Sequence, residues 1–395
     1  MNSTNYDLVC FSHLRWNFVY QRPQHLMSRA AKTRRVFFIE EPIFEAGTSP
    51  KLETYRDGGV TVVTPHLPQD SGEDRTGWLL RGLVDELFLE QSVRDYVLWI
   101  YSPMPVPYLA SLKPKAVVYD CMDELANFRF APFTLKQREQ QLLGWADVVF
   151  TGGQSLYEAK LGTHPNLHCF PSSVDVAHFA KARRPQLEPR DMAQIGRPRV
   201  GFYGVIDERM DIDLIREVAE GMPGVEFVMV GPFAKVDPAE MPRLPNLHFL
   251  GQKTYADLPF YLAHWDVAML PFALNDSTKF ISPTKTPEYL AAGKPVVSTP
   301  ITDVVRPYGE KGLVYIAGDS PAFQKAIHQA LCEDQRARQA QADAFIARMS
   351  WDRTWASMEA AIDAAVEHNK TAVPGVSVAT PTRPAITGGR NPNQA

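Results

Sequence analysis

One stretch near the end of the chain decides the fold: Lys279–Pro300, with the sequence KFISPTKTPEYLAAGKPVVSTP. Its order predicts a loop, a helix, a tight turn and a buried strand. Ser282–Pro283 suit the N-cap and the first helical position, and Thr286–Pro287 offer the same pairing one turn later. Gly293 is expected to end the helix, and Val296–Thr299 follow as a β-branched strand. The stretch therefore predicts one unit of an α/β domain.

The start of this helix is a candidate phosphate site, because a helix N-terminus presents free N–H groups and a positive dipole end. Lys279 and Lys285 bracket it with positive charge. Glu288 falls on the same helical face one turn deeper, where a carboxylate can accept two hydrogen bonds from a ribose diol. The predicted phosphate turn consists of Ser282, Pro283, Thr284 and Lys285. These features predict nucleotide-sugar binding, and a solvated Glu288 on an ordinary capped helix is the alternative.

The run P-T-K-x-x-E-Y-L-A-A-G-K-P-V-V-S-T resembles the donor-site signature of GT-B glycosyltransferases, a group that includes the retaining family-4 enzymes (glycosyl transferases group 1). It most resembles a bacterial branch associated with teichuronic-acid and exopolysaccharide synthesis. The resemblance implies that Glu288 binds the nucleotide ribose and that amides near Pro283–Lys285 hold the phosphates. Family-4 enzymes usually carry a second glutamate eight residues earlier, where this chain has Phe280. That departure leaves the stereochemical outcome open.

Further donor-side candidates come from the start of the second half of the chain. Two predicted strands end in glycine turns, and in family-4 relatives an arginine follows the first of these glycines. Val205 takes that place here, so Arg209 is the residue that would substitute for the missing charge. The resemblance also implies a base-contacting loop around Gly251. The donor-side candidates from this region are Gly204, Arg209, Gly231, Gln252 and Lys253.

Length and composition limit the classes of protein to which the chain can belong. At 395 residues the chain predicts two domains, and a formal net charge of −4 argues against general nucleic-acid binding. The four cysteines are scattered and show no metal-ligand spacing. Three of them lie in apolar or strand-like runs, so buried free thiols are expected. No apolar run reaches the roughly 18 residues of a membrane span, and no signal peptide is evident. We therefore expect a cytoplasmic protein, with a peripheral contact at the inner face of the membrane left open.

Strands and helices alternate through both halves, which predicts an α/β fold with two doubly wound, Rossmann-like domains. By the resemblance these domains face a cleft in the GT-B manner. The predicted domains are an acceptor-side domain at 1–190 and a nucleotide-sugar-binding domain at 191–350. A helix at 351–367 is expected to cross back and pack on the first domain. Residues 369–395 have the composition of a disordered tail.

Candidate acceptor and catalytic residues follow two predicted strands of the first half. Ligands bind at the carboxyl ends of strands in such sheets, so polar residues there are of interest. Three carboxylates follow one strand directly, and crowding would raise the pKa of at least one, as a general base or acid requires. Helix capping by an aspartate and a structural histidine are the alternatives. The catalytic candidates are His13, Asp120 and Asp123, and the acceptor candidates are Trp16, Arg22 and Glu124.

A helical stripe of apolar residues between Trp78 and Val93 admits two interpretations. Packing on the core of the first domain is favoured, and contact with a membrane or a lipid acceptor is the alternative.

The sequence thus predicts a glycosyltransferase that moves a sugar from a nucleotide-sugar, UDP- or GDP-linked, to a saccharide or lipid-linked saccharide acceptor. No metal motif is visible, so a metal-independent reaction is expected, with the nucleotide-sugar as co-substrate and no cofactor. Retention is slightly favoured over inversion. The alternatives are a sugar-nucleotide epimerase of GT-B fold and a catalytically inactive, glycosyltransferase-like binding subunit.

Overall fold

The computed structural model of the chain describes residues 5–371, and its first half builds a sheet of nine strands. The order across the sheet is β3-β5-β2-β1-β6-β7-β8-β9, and β4 pairs only with β5. The β4–β5 pair is antiparallel and the other pairs are parallel. The strands are β1 (Asp7–Ser12), β2 (Val36–Glu40), β3 (Ile43–Glu45), β4 (Lys51–Asp57), β5 (Val60–Pro68), β6 (Tyr96–Ile100), β7 (Ala116–Cys121), β8 (Val148–Thr151) and β9 (Leu167–Cys169). The helices of this half are α1 (Arg22–Ala30), α2 (Glu73–Glu90), α3 (Val106–Leu109), α4 (Leu135–Trp145) and α5 (Gln154–Lys160).

The first sheet is buried on both faces, as the near-continuous apolar runs of its strands require. Side chains alternate along each strand, so Leu8 and Cys10 pack in one apolar layer and Val9 and Phe11 in the other. A sheet covered on both faces is exposed only at its ends and edges. Loops at the carboxyl ends of its strands are therefore the part of this domain that can bind a ligand.

The second half builds a parallel sheet of six strands in the order β12-β11-β10-β13-β14-β15. Its strands are β10 (Arg199–Tyr203), β11 (Glu226–Val230), β12 (Leu247–Phe249), β13 (Val267–Leu270), β14 (Val296–Ser298) and β15 (Tyr315–Ile316). Its helices are α7 (Ile212–Gly221), α8 (Leu258–Ala263), α9 (Lys285–Ala291), α10 (Thr302–Val304), α11 (Ser320–Cys332) and α12 (Arg336–Ile346). The strand order reverses beside β10, which has β11 on one side and β13 on the other. Such a switch point leaves a crevice for a ligand.

The chain enters the second domain earlier than the predicted boundary at 190. Helix α6 (Val176–Phe179) and the turn after it already pack on the second domain, because Val174, Phe179 and Ala182 belong to its apolar core. The change in composition near residue 190 marks a polar loop on the surface of that domain. The crossing itself is made between Phe170, which packs on the first core, and Val174.

The last helix, α13 (Trp351–Thr371), returns to the first domain. Trp351, Trp355 and Met358 are buried in the core layer formed with one face of the first sheet. The helix is longer than predicted, since residues 369–371 of the expected tail are helical. Residues 372–395 of that tail lie outside the described part of the chain.

Three of the polar contacts between the two domains are made by Ser155, Ser172 and Arg306. The backbone N–H of Ser155 donates to Asp303 Oδ1 at 3.0 Å, so a residue of the second domain caps helix α5 of the first. The hydroxyl of Ser172 donates to the carbonyl of Ser282 at 2.7 Å. Arg306 pairs with Glu158 at 3.1 Å. Between residues 5 and 371 no helix is long and apolar enough to cross a membrane.

Candidate donor and acceptor sites in the cleft

A pocket of about 550 Å³ lies at the carboxyl edge of the second sheet and opens into the cleft. Two glycines after neighbouring strands form its floor, Gly204 with φ of 143° and Gly231 with φ of 150°. A Cβ on Gly231 would lie 1.8 Å from the Gly204 carbonyl oxygen, and one on Gly204 would lie 2.1 Å from Lys285 Cε. Only glycine lets the two turns approach each other and lets the Lys285 side chain lie against Gly204. Both predicted glycine turns line the pocket.

The helix at the pocket begins at Lys285, later than the predicted start at Ser282–Pro283. Thr284 precedes it with helical angles, φ −56° and ψ −29°, and its side chain makes no capping hydrogen bond. The carbonyls of Pro283 and Thr284 accept from the N–H groups of Thr286 and Glu288. Thr284 and Lys285 line the pocket, whereas Ser282 and Pro283 line a smaller chamber beside it. The predicted capping role of Ser282 is wrong, because the helix begins three residues later, at Lys285, with Thr284 in the N-cap position. The Ser282 carbonyl accepts a hydrogen bond from Ser172 across the domain boundary.

Two cations face this end of the pocket. Arg209 lines it and is fixed by a two-point contact with Asp207, at 2.9 Å from Nε and 2.6 Å from Nη2. Burial and the nearby Arg209 guanidinium lower the pKa of Lys285 to about 8. A buried lysine held beside an arginine is a place where an anion would be favourable, because it would neutralise both groups. Arg209 thus lines the same pocket as Gly204, the glycine that the family arginine would follow.

Glu288 lies within the same pocket and is only 5% exposed. Burial raises the pKa of its carboxyl to about 7, while the Tyr203 hydroxyl and Lys285 oppose the rise. The Tyr203 hydroxyl donates to the Glu288 carboxylate, and the Tyr203 backbone N–H donates to Tyr289 Oη at 3.0 Å. These bonds fix the carboxylate on the wall of the pocket. The alternative of a solvated surface glutamate is wrong.

The other donor-side candidates divide into two groups. Gln252 and Lys253 line the far end of the pocket, where Gln252 donates to the carbonyl of Phe18 and Lys253 pairs with Asp191 at 2.7 Å. Lys279 is exposed, and its ammonium lies 5.2 Å from the ring centre of its neighbour Phe280. Lys279 lines none of the cavities at the cleft, so its predicted place at the phosphate turn is wrong.

Asp120 does not face the cleft. It is the penultimate residue of β7, is 0% exposed, and receives hydrogen bonds from Arg22 at 2.9 and 3.0 Å. Burial raises the pKa of Asp120, and the Arg22 guanidinium opposes the rise. Arg22 also donates to the carbonyl of Phe170 at 2.7 Å. A carboxylate sealed in this way cannot reach an acceptor hydroxyl, so the prediction of Asp120 as a general base is wrong.

Glu124 is also drawn away from the cleft. Its carboxylate pairs with Lys160 of α5 at 2.8 Å, and Lys160 contacts Glu139 at 2.7 Å. Arg22 binds Asp120 and Lys160 binds Glu124, so these carboxylates are neutralised separately. The expected crowding of three carboxylates at the end of β7 does not occur. The predicted contact of Glu124 with an acceptor has no support in this arrangement, because Glu124 lines none of the cavities at the cleft.

Asp123 is the member of the cluster that remains at the cleft. It lines the smaller chamber, of about 80 Å³, together with Arg22, Arg209 and Lys285. Burial raises the pKa of Asp123 to about 6, while Arg209 and Arg22 lower it. A carboxyl with this pKa, placed between the two domains and beside the cations of the donor pocket, can accept a proton or a hydrogen bond from an acceptor near neutrality.

His13 and Trp16 occupy different positions after β1. His13 lines a third cavity on the first domain, and burial together with Lys235 lowers its pKa to about 4. Its imidazole is therefore neutral near pH 7. Trp16 lines the donor pocket but is buried, and its indole N–H donates to Asp57 at 2.8 Å. Trp16 also packs edge-to-face on Phe38, with 5.0 Å between the ring centres. It is therefore a core residue that anchors the loop after β1.

The sequence did not single out three residues that shape the pocket: Tyr203, Asp207 and Tyr255. Tyr203 and Asp207 orient Glu288 and Arg209, and Tyr255 stacks on Tyr20 of the first domain at 4.4 Å between ring centres. Position at the end of β10 was the available signal for Tyr203 and Asp207. Nothing in the sequence pattern distinguishes Tyr255 from an ordinary loop tyrosine.

Within residues 5–371 no group of three or more His, Cys, Asp or Glu side chains has an arrangement that could hold a metal ion.

Residues 197–333 match the model of a protein family described as Glycosyl transferases group 1. A curated relative from Bacillus subtilis, TuaH, is named as a candidate glycosyltransferase of teichuronic acid biosynthesis and is 28% identical over 261 residues. The match covers 61% of this chain and 65% of the relative, so it spans just under two thirds of the relative's length. The resemblance inferred from Lys279–Pro300 is confirmed by these matches.

Solved structures show the same architecture over nearly the whole chain. Sucrose-phosphate synthase from Thermosynechococcus elongatus matches with a TM-score of 0.68 at 14% identity, covering 92% of this chain and 100% of that structure. The structure named "Trehalose-6-phosphate from E. coli bound with UDP-2-fluoro glucose" matches with a TM-score of 0.65 at 13% identity, covering 91% and 99%. The fold is GT-B, with two Rossmann-like domains facing a cleft, as predicted.

Proposed function

We propose that the chain is a glycosyltransferase that moves a sugar from a nucleotide-sugar on the second domain to a saccharide acceptor, free or lipid-linked, at the first. The observation that carries this proposal is the convergence of Arg209, Lys285 and Glu288 on one pocket. Two cations suit a diphosphate, and a fixed carboxylate suits the ribose diol. The relative named for teichuronic acid biosynthesis supports a role in cell-surface polysaccharide synthesis. A cytoplasmic location, with peripheral contact at the inner face of the membrane, is part of the proposal.

The proposed chemistry is stabilisation of the departing nucleoside diphosphate. As the bond between the sugar and the diphosphate breaks, negative charge grows on the phosphate oxygens. Arg209, already oriented by Asp207, and Lys285 on the first turn of α9 are placed to receive that charge. Pre-oriented cations in a partly closed cleft are often the largest contribution to catalysis.

The reaction is proposed to need no divalent metal, because Arg209 and Lys285 neutralise the diphosphate. Turnover is expected to persist after treatment with EDTA. Complete loss of turnover that Mg²⁺ or Mn²⁺ restores would overturn this part of the proposal.

Retention of configuration is proposed for the transferred sugar. One structural neighbour, a trehalose-6-phosphate synthase, carries the phrase "enzymatic glycosyltransfer with retention" in its name. In a retaining reaction the donor phosphate takes the proton of the acceptor, and Asp123 orients the acceptor. Inversion would make Asp123 the general base, with a pKa of about 6 that suits the task. The anomeric configuration of the product, measured by NMR, decides between the two.

The test of the proposed function is a panel of UDP-, GDP- and dTDP-sugars. We expect one of them to raise the melting temperature of the wild-type protein, and the shift to disappear in Glu288→Ala but not in Glu220→Ala, an exposed carboxylate on α7. Nucleotide release is then measured with and without saccharide acceptors. Release that requires an acceptor supports a transferase, sugar interconversion without release indicates an epimerase, and binding without either indicates an inactive binding subunit.

A further inference from the structure

We infer that the acceptor of this proposed transfer carries an uncharged apolar chain, which lies in a groove on the first domain that begins at His13. This inference rests on the proposed function and adds the chemical class of the acceptor. The groove is a cavity of about 890 Å³ at the carboxyl edge of the first sheet. Its apolar walls are formed by Phe44, Trp78, Leu80, Pro105, Tyr108 and Phe133.

Three large aromatic side chains of these walls are exposed to solvent. Trp78 is 74% exposed, Phe133 96% and Phe44 45%. Single exposed hydrophobic residues are common, but several around one cavity mark a binding surface. The favoured prediction for the apolar stripe of α2 was core packing, and it holds for Leu80, Leu83 and Leu87, which are buried. Core packing does not account for Trp78, since its side chain is exposed and lines the groove.

Ser12 and His13 line the inner end of the groove at the carboxyl end of β1, and the loop that follows this strand carries Trp16 to the donor pocket. Lys235 of the second domain contributes to the lowered pKa of His13. The Nδ1 atom of His13 is buried and has no hydrogen-bond partner in the structure. A sugar hydroxyl at this point would complete the hydrogen bonding of His13. An acceptor would thus place its sugar at His13 and its chain along the aromatic walls.

The excess of acidic side chains along the groove disfavours binding of an anionic chain or headgroup. Four acidic residues line it, against two arginines, and both arginines already have acidic partners. Arg81 pairs with Asp85 at 2.9 Å, and Arg138 pairs with Glu73. A phosphate in the groove would lack a free cation and would face carboxylates. The geometry therefore favours a sugar joined to its alkyl or acyl chain without a phosphate between them.

Calorimetry with three small probes tests the inference: decyl maltoside below its critical micelle concentration, methyl maltoside and decyl phosphate. We expect decyl maltoside to bind, and the other two to bind much more weakly. Trp78→Ala and Phe133→Ala should each weaken decyl maltoside binding roughly tenfold, since aromatic anchors dominate apolar contacts. Leu89→Ala is the matched control, because Leu89 is 82% exposed on the same helix but lies outside the groove.

Equal binding of methyl and decyl maltoside would overturn the inference, as would an equal loss of binding in Leu89→Ala. Decyl phosphate binding as tightly as decyl maltoside would overturn the selection against charge. Nucleotide-sugar binding is measured on the same variants and should not change. The two proposals can be distinguished. If no nucleotide-sugar binds while Trp78→Ala still weakens decyl maltoside binding, the proposed function is wrong, but the groove is still a binding site for an apolar chain.

Discussion

The guanidinium of Arg22 on α1 holds the carboxylate of Asp120 on β7 through hydrogen bonds of 2.9 and 3.0 Å, with the two side chains 3% and 0% exposed. This pair joins a helix and a strand of the first domain in the interior. Its geometry excludes Asp120 from the chemistry, because both of its oxygens are occupied and neither faces the cleft. The pair therefore has a structural role.

Asp120→Asn should lower the free energy of unfolding by about 3–5 kcal/mol, because it leaves the buried Arg22 without a counter-charge. Chemical denaturation measures the change. Asp95→Asn, which breaks an exposed pair with Lys115, should cost less than about 1 kcal/mol. An Asp120→Asn protein that keeps its stability but loses turnover would return Asp120 to the list of catalytic candidates.

Glu288→Ala should weaken nucleotide-sugar binding by about 1.5–3 kcal/mol, the scale of a hydrogen bond to a charged group. The reason is that its carboxylate, held by Tyr203, is placed to accept from the ribose diol. Isothermal calorimetry gives the affinity, with Glu220→Ala as the control for a lost surface charge. Unchanged affinity in Glu288→Ala would remove it from the donor site.

Nucleotide-sugar affinity should pass through a maximum between about pH 7 and pH 8, the pKa values of Glu288 and Lys285. Glu288 must be ionised to accept the ribose hydrogen bonds, so affinity should fall as pH drops below its raised pKa. Lys285 must be protonated to neutralise the diphosphate, so affinity should fall as pH rises above its lowered pKa. Each limb should approach about a tenfold change per pH unit, as for one proton.

An intact nucleotide-sugar is the ligand for this titration, because its diphosphate carries no proton that titrates near neutrality. Glu288→Gln should flatten the acid limb and leave the alkaline limb in place. An unaltered acid limb in that variant would show that another group titrates there.

Asp123→Asn should lower kcat, because this carboxylate lies between the domains where the acceptor is expected. Nucleotide-sugar affinity should not fall, because the change removes a negative charge beside Arg209 and Lys285. A general base typically contributes a hundred- to ten-thousand-fold, so a loss on that order identifies Asp123 as the base. Recovery of most of the rate at saturating acceptor instead identifies it as a residue that orients the acceptor. A near-normal kcat with a normal KM for the acceptor would remove it from both roles.

The sequence alone determined the fold class and several of the residues that line the candidate donor pocket. Regular alternation of strands and helices fixed two parallel sheets, and helical spacing put Glu288 and Lys285 on one face of α9. These features depend on neighbours within one or two turns of the chain. Gly204 and Gly231 became donor-side candidates through the family resemblance, and the packing of the second sheet brings them to the pocket beside Glu288 and Lys285.

Two local features were missed although the sequence carried a signal for them. Strand β4 and its antiparallel pairing with β5 surround the turn Asp57-Gly58-Gly59, a residue pattern typical of hairpins. Helix α9 starts two residues later than its first candidate, with Thr284 instead of Ser282 in the N-cap position.

Only the tertiary structure decided the acceptor side. Asp120, Asp123 and Glu124 are near neighbours in sequence, yet Arg22 binds the first, Lys160 binds the last, and Asp123 alone remains at the cleft. Which cation reaches which carboxylate depends on side chains brought together from helices far apart in the chain. Sequence spacing places a charged group at the end of a strand, but the balance between burial and the nearest opposite charge determines its role, and that balance exists only in the folded protein.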